Sequence, residues 1–233
     1  MNKWQDIPWN IRDILMAVLV FVFLLLAASR LMIFGADSGW IADNITAVVV
    51  AALLQAVLMT GAMYLVVFGV RRGKWAHLGF SRPFWRYWSW GILGGIAMVL
   101  LALIFAVTVT WFIDDLPEQA LTGELMDIQS WQAVVAVLFV VAVIAPAAEE
   151  LVFRGFVYAG LRKRIGQLPS VLLTSLCFAV VHLEFHWVHF SQILLFGVML
   201  ALLYERTRNL MVPIIAHGIY NLAIYLMLLV VGV

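Results

Sequence analysis

Residues 131–161 read WQAVVAVLFVVAVIAPAAEELVFRGFVYAGL, and this stretch decides the fold. From Trp131 to Ala148 it carries no charge; Glu149, Glu150 and Arg154 then precede a basic cluster, Arg162, Lys163 and Arg164. A run of ~20 apolar residues crosses a ~30 Å hydrocarbon core, so this one predicts a membrane-spanning helix. At ~1.5 Å per residue, Glu150 lies about 18 Å along that helix from Arg162, well inside the bilayer. Each buried charge costs at least ~2.5–3.5 kcal/mol to insert, which marks the trio as a candidate functional site. Pro146 has no N–H to give a helix and predicts a kink or a break in this segment.

The rest of the chain has the same character. Of its 233 residues 65% are hydrophobic and 12% charged, too few charges to cover a soluble domain. The mean hydropathy is +1.05. Seven apolar segments can be traced: 13–34, 45–70, 89–113, 131–161, 168–183, 188–205 and 210–230. The fold class expected is therefore all-α, a polytopic helical membrane protein of about seven transmembrane helices, or eight segments if the fourth is broken at Pro146. The first segment reads as a retained span, because no small-residue cleavage site follows it closely. The whole chain, 1–233, reads as one membrane domain, with spans of unassigned role over 1–130 and a core over 131–233.

Loop charges support seven crossings. Asp37 and Asp43 follow the first segment, and Arg71, Arg72, Lys74, Arg82 and Arg86 the second. Asp114, Asp115, Glu118, Glu124 and Asp127 follow the third, and Arg162, Lys163 and Arg164 the fourth. Glu184 follows the fifth, and Arg206 and Arg208 the sixth. This alternation predicts an integral cell-membrane protein with a cytoplasmic N-terminus and an extracytoplasmic C-terminus. No basic patch suits a nucleic-acid partner. The single cysteine, Cys177, excludes an internal disulfide framework and reads as a small buried hydrophobe.

Helical phase separates the two glutamates. Glu150 and Arg154 are four apart and can pair on one face. Glu149 is turned about 100° away and is left free for general-base work. His182 stands one turn after Phe178, and His217 one turn before Asn221, each pair on one helix face. Polar residues in membrane helices also serve as interhelical glue, and a buried Glu–Arg pair can simply orient helices. Those readings leave Glu149 without a reason. His186 and His189 continue from His182 at helical spacing, but read as part of an interfacial connection rather than metal ligands. Two carboxylates, two imidazoles and a carboxamide in a dry cavity suit hydrolysis, in which a base activates water and donors hold the oxyanion. No HExxH, no intramembrane GxSxG-like serine and no intramembrane aspartate pair is present.

The motifs Glu149-Glu150-x-x-x-Arg154, Phe178-x-x-x-His182 and His217-x-x-x-Asn221, in this order on separate segments, resemble the CAAX prenyl endopeptidase and bacteriocin-processing (Abi, or CPBP) family of intramembrane proteases. The resemblance covers roughly residues 131–230. It implies an intramembrane endopeptidase in which Glu149 and His182 activate water and His217 and Asn221 stabilise the oxyanion. Glu150, Arg154 and Phe178 would support them. It also implies an alternative with zinc on Glu149, His182 and His217; the metal-free scheme is preferred, because an Asn paired with a His suits an oxyanion hole. The compact size and short loops resemble bacterial members, associated with bacteriocin maturation or self-immunity, peptide signalling and envelope control. The partners implied are membrane lipid and a peptide or membrane-protein substrate. Two other readings remain open: a non-enzymatic immunity or scaffold protein, and a proton-coupled transporter using Glu149, His182 and His217 as a relay, against which the lack of inverted repeats counts.

Overall fold

The computed structural model describes residues 4–37, 44–80, 83–112, 130–182 and 186–231, and every regular element among them is a helix. Seven long helices follow in order. They are α1 (Ile11–Asp37), α2 (Asn44–Tyr64, running on as π-helix over Leu65–Val70), α3 (Trp88–Thr110) and α4 (Trp131–Ile165), then α5 (Gln167–Val181), α6 (Trp187–Thr207) and α7 (Met211–Val231). Six are long and apolar enough to cross a membrane; α5, with 15 residues, is shorter. Asp43, the acidic residues Asp114 to Asp127, and Glu184 lie outside the described residues.

The fourth segment is not broken at Pro146. It is one helix of 35 residues. Two stretches of it, Val140–Ile144 and Leu151–Tyr158, wind as π-helix. The Ala145 N–H reaches back to the Val140 carbonyl, a five-residue step that takes up the proline within a continuous helix. The segment count therefore stays at seven.

Core and lipid-facing surfaces divide by helical phase. On α5, Val171, Thr174, Ser175, Phe178 and Ala179 are buried, while Leu172, Leu173, Leu176 and Val180 face outward. Cys177 belongs to the outward stripe and is exposed, so the expectation of a buried thiol is corrected. Helix α3 lies close against α7: a Cβ on Gly95 would meet the Ile219 Cβ at 2.8 Å and the Ala216 carbonyl oxygen at 2.9 Å. Bare backbone at such contacts is how membrane helices approach when no hydrophobic force drives them together.

One end of the bundle carries most of the ordered charge. Arg71 pairs with Asp13 at 2.7 Å, Arg162 with Glu205 at 2.9 Å, and the Lys163 ammonium donates to the Ile7 carbonyl at 2.8 Å. Arg208 lies 3.5 Å over the Trp4 ring. The basic loops and the segment before α1 thus share this end. Beneath them Trp4, Ile7, Trp9, Leu78, Tyr158, Tyr204 and Leu210 form an apolar cluster.

Candidate functional site

Helices α4, α5 and α7 bring the motif residues together: Glu150, Arg154 and His217 are buried, Glu149 and Asn221 are partly buried, and His182 is exposed at the end of α5. Glu150 and Arg154, one turn apart on α4, are fully buried and paired at 2.8 Å through Oε1 and Nη1. The second arm of the guanidinium, Nη2, donates to the Gly197 carbonyl on α6 at 3.0 Å. The guanidinium carbon lies 4.5 Å from the centroid of Phe178, so that ring forms its lid. A buried cation held by a carboxylate, a carbonyl and an aromatic face is a fixed strut across three helices.

His217 stands between the two glutamates. Its Nδ1 is 3.0 Å from Glu150 Oε1 and its Nε2 is 3.9 Å from Glu149 Oε2. Glu150 thus accepts from two partners, an arrangement that orients the imidazole as carboxylate–histidine pairs do. His182 approaches from α5. Its Nδ1 is 2.6 Å from the Phe178 carbonyl, and a carbonyl can only accept, so Nδ1 carries the proton. Its Nε2 then presents a lone pair, 3.9 Å from the same Glu149 Oε2. Phe178 fixes both rings as well, lying 4.5 Å from His182 and 5.9 Å from His217 between centroids.

Glu149 Oε2 is buried and has no hydrogen-bond partner among the described residues. Two imidazole nitrogens face it at 3.9 Å, too far for a direct hydrogen bond. A water at ~2.8 Å from two such atoms bridges that gap. Tetrahedral zinc, with ligands at ~2.0–2.1 Å, would draw donor atoms to about 3.4 Å apart. Among the described residues no group of three His, Cys, Asp or Glu side chains is arranged to hold a metal ion.

Asn221 lies one turn beyond His217, and its amide nitrogen donates to the Val141 carbonyl at 3.0 Å. That carbonyl is available because the residue five places on is Pro146, which has no N–H. Gly218 completes the fit: a Cβ there would run into the neighbouring Ala142 carbonyl oxygen. Pro146 therefore creates the seat on which α7 rests, and Gly218 and Asn221 are matched to it. Sequence reading missed this seat and the His217–Glu150 bond. Their signal was a proline upstream of the glutamates and a glycine beside the histidine.

An apolar cleft of about 1380 Å³ between α2, α4 and α7 passes Ala148 and Gly218, the neighbours of Glu149 and His217. His186 and His189 lie with ring centroids 5.9 Å apart at the start of α6. His77 is half-buried in the loop after α2; burial, then Lys74, push its pKa down while Asp6 opposes them.

Residues 130–223 match the family model described as Type II CAAX prenyl endopeptidase Rce1-like. The chain is 30% identical over 96 residues to YdiL of Bacillus subtilis (strain 168), covering 41% of this chain and 38% of that protein. It is 26% identical over 140 residues to the membrane-embedded CAAX protease MroQ of Staphylococcus aureus (strain USA300), covering 57% and 54%. To the UPF0177 protein YxdF of Lactococcus lactis it is 27% identical over 146 residues, covering 61% and 75%. The chain thus spans about half or less of the length of the first two of these relatives. No solved structure matches it significantly.

Proposed function

Because this integral membrane chain belongs, through residues 130–223, to the Rce1-like family of type II CAAX prenyl endopeptidases, we propose that it is an intramembrane endopeptidase acting through a water held at Glu149. The observation that carries the proposal is the buried, unpartnered Oε2 of Glu149, flanked at 3.9 Å by Nε2 of His182 and of His217.

A water bound there donates one hydrogen bond to Glu149 Oε2 and points its other hydrogen at the lone pair of His182 Nε2. Its oxygen lone pair is then free to attack the substrate carbonyl carbon. Glu149 takes the proton as the C–O bond forms and delivers it to the amine as the C–N bond breaks. His217, held at Nδ1 by Glu150, turns Nε2 to the oxyanion as a donor. Asn221 spends one amide hydrogen on Val141 and keeps a second for the same oxygen. Arg154 and Glu150 hold His217 in place without touching the substrate.

The substrate class is a peptide or a membrane protein whose apolar stretch lies in the cleft beside Ala148 and Gly218. The end of the bundle that gathers Arg71, Arg162, Lys163 and Arg208 faces the cytoplasm, with the N-terminus there and the C-terminus opposite if α5 crosses; the positive-inside rule supports this orientation. A membrane-peptide library incubated with the purified protein tests the proposal. Wild type cuts at least one member, in the presence of a strong chelator as in its absence, and Glu149→Ala and His182→Ala do not. Equal cutting by wild type and both variants sinks the reading.

A further inference from the structure

The segment before α1 is built into the helix that carries the glutamates. Trp9 has no exposed surface. Its indole Nε1–H donates to the carbonyl of Phe156 at 2.9 Å, across 147 residues of sequence. The two sides are shaped for each other. A Cβ on Gly160, one turn after Phe156, would meet Trp9 Cδ1 at 2.9 Å and Nε1 at 3.0 Å. Ile7 is buried beside it, and its carbonyl is held by Lys163 on the same helix. Trp4, also buried, sets its ring 5.6 Å from that of Tyr158, again on α4.

Phe156 lies inside the π-helical stretch Leu151–Tyr158, which begins directly after Glu150 and contains Arg154. A π-helical turn holds an extra residue relative to α-helix and survives only where neighbouring groups fix it. If one such turn relaxed to α-helix, the residues before it would rotate by about 100° against those after it. Glu149 and Glu150 lie before the stretch; Gly160 and Lys163, seated against the N-terminal segment, lie after it. Whatever anchors the later half therefore sets the direction in which the glutamates point.

We infer that Trp9 is a positioning residue: through the Phe156 carbonyl, the segment Trp4–Asn10 holds the π-helical winding of α4 that aims Glu149 at His182 and His217. This rests on the protease reading for its kinetic consequence but not for its structural one. Trp9 acts through α4 and never touches the substrate.

The test uses the full chain and Trp9→Phe, which keeps an aromatic ring and deletes the N–H donor; Trp111→Phe, at an exposed position just after α3, is the control. Hydrogen exchange followed by mass spectrometry reads residues 151–161 with no need of activity. Exchange there speeds up in Trp9→Phe, while that of α5 and α6 is unchanged. In the cleavage assay kcat per folded molecule falls about five- to tenfold, the worth of one buried hydrogen bond, with KM held and the melting temperature lowered by no more than that one bond. A purely structural contribution would lower the melting temperature and leave kcat per folded molecule unaltered. Unchanged exchange over 151–161 overturns the inference, as does faster exchange with an unaltered kcat. A wild type that cuts nothing refutes the protease reading alone, and the exchange result then decides this one.

Discussion

Arg154→Met removes a cation from the interior and keeps most of the side-chain length. Three contacts go with it: the 2.8 Å pair with Glu150, the 3.0 Å bond to the Gly197 carbonyl and the stack on Phe178. Both charged side chains have no exposed surface, so solvent cannot compensate Glu150, which keeps only its bond to His217. Removing one member of a buried pair costs about 3–5 kcal/mol. Glu150→Gln strands Arg154 in the same way and costs about as much. The double variant leaves neither member of the pair stranded and, beyond the pair, loses the bond to Gly197 and the stack on Phe178, about 1–3 kcal/mol. The singles are then strongly non-additive, with a coupling of at least ~3 kcal/mol. Equilibrium unfolding of the four proteins by SDS titration in mild detergent, followed by far-UV circular dichroism, measures each value. A cost below ~1 kcal/mol for Arg154→Met, or additive singles, would refute the view that this pair is a buried strut.

Two further substitutions probe the seat between α4 and α7. Gly218→Ala drives a methyl against the Ala142 carbonyl oxygen and destabilises by about 1–3 kcal/mol; Gly61→Ala, where a Cβ meets nothing within 4 Å, is neutral or slightly stabilising in the same unfolding assay. Asn221→Leu leaves the Val141 carbonyl without its side-chain donor, costs about 1–3 kcal/mol, and lowers kcat through loss of the second amide hydrogen.

Much of this site was legible because helical phase is read directly from spacing. A spacing of four gives Glu150 and Arg154 a pair, which stands at 2.8 Å, and one residue of offset turns Glu149 away from it to face His182 and His217. Depth was harder to read. Counting from the loop after α6 puts His217 near the surface, yet it meets His182 around one oxygen. The reason lies in the loop itself: Asn209 and Leu210 are buried, and the Leu210 N–H bonds to the Gly79 carbonyl. That loop is folded into the protein, so α7 starts below the surface from which the count was made. Pro146 misled for a related reason. A proline removes a donor, but whether the helix breaks depends on who takes the freed carbonyl. Here Asn221, 80 residues away in sequence, does so. Trp9 gave no signal at all, because an aromatic residue ahead of a first span reads as an interfacial anchor.

The central claim is that the two adjacent glutamates have different tasks, Glu149 at the water and Glu150 behind His217. Single-turnover cleavage by wild type, Glu149→Gln and Glu150→Gln, each normalised to its folded fraction, tests it most directly. Glutamine at 149 cannot accept the water's proton, so the rate falls by about 10²–10⁴-fold. Glutamine at 150 still offers an oxygen to His217 and Arg154 but carries no charge to balance them, so the rate falls by about 10–10²-fold, less than at 149. Cleavage by Glu149→Gln at the wild-type rate, or a larger loss at Glu150 than at Glu149, would contradict the account.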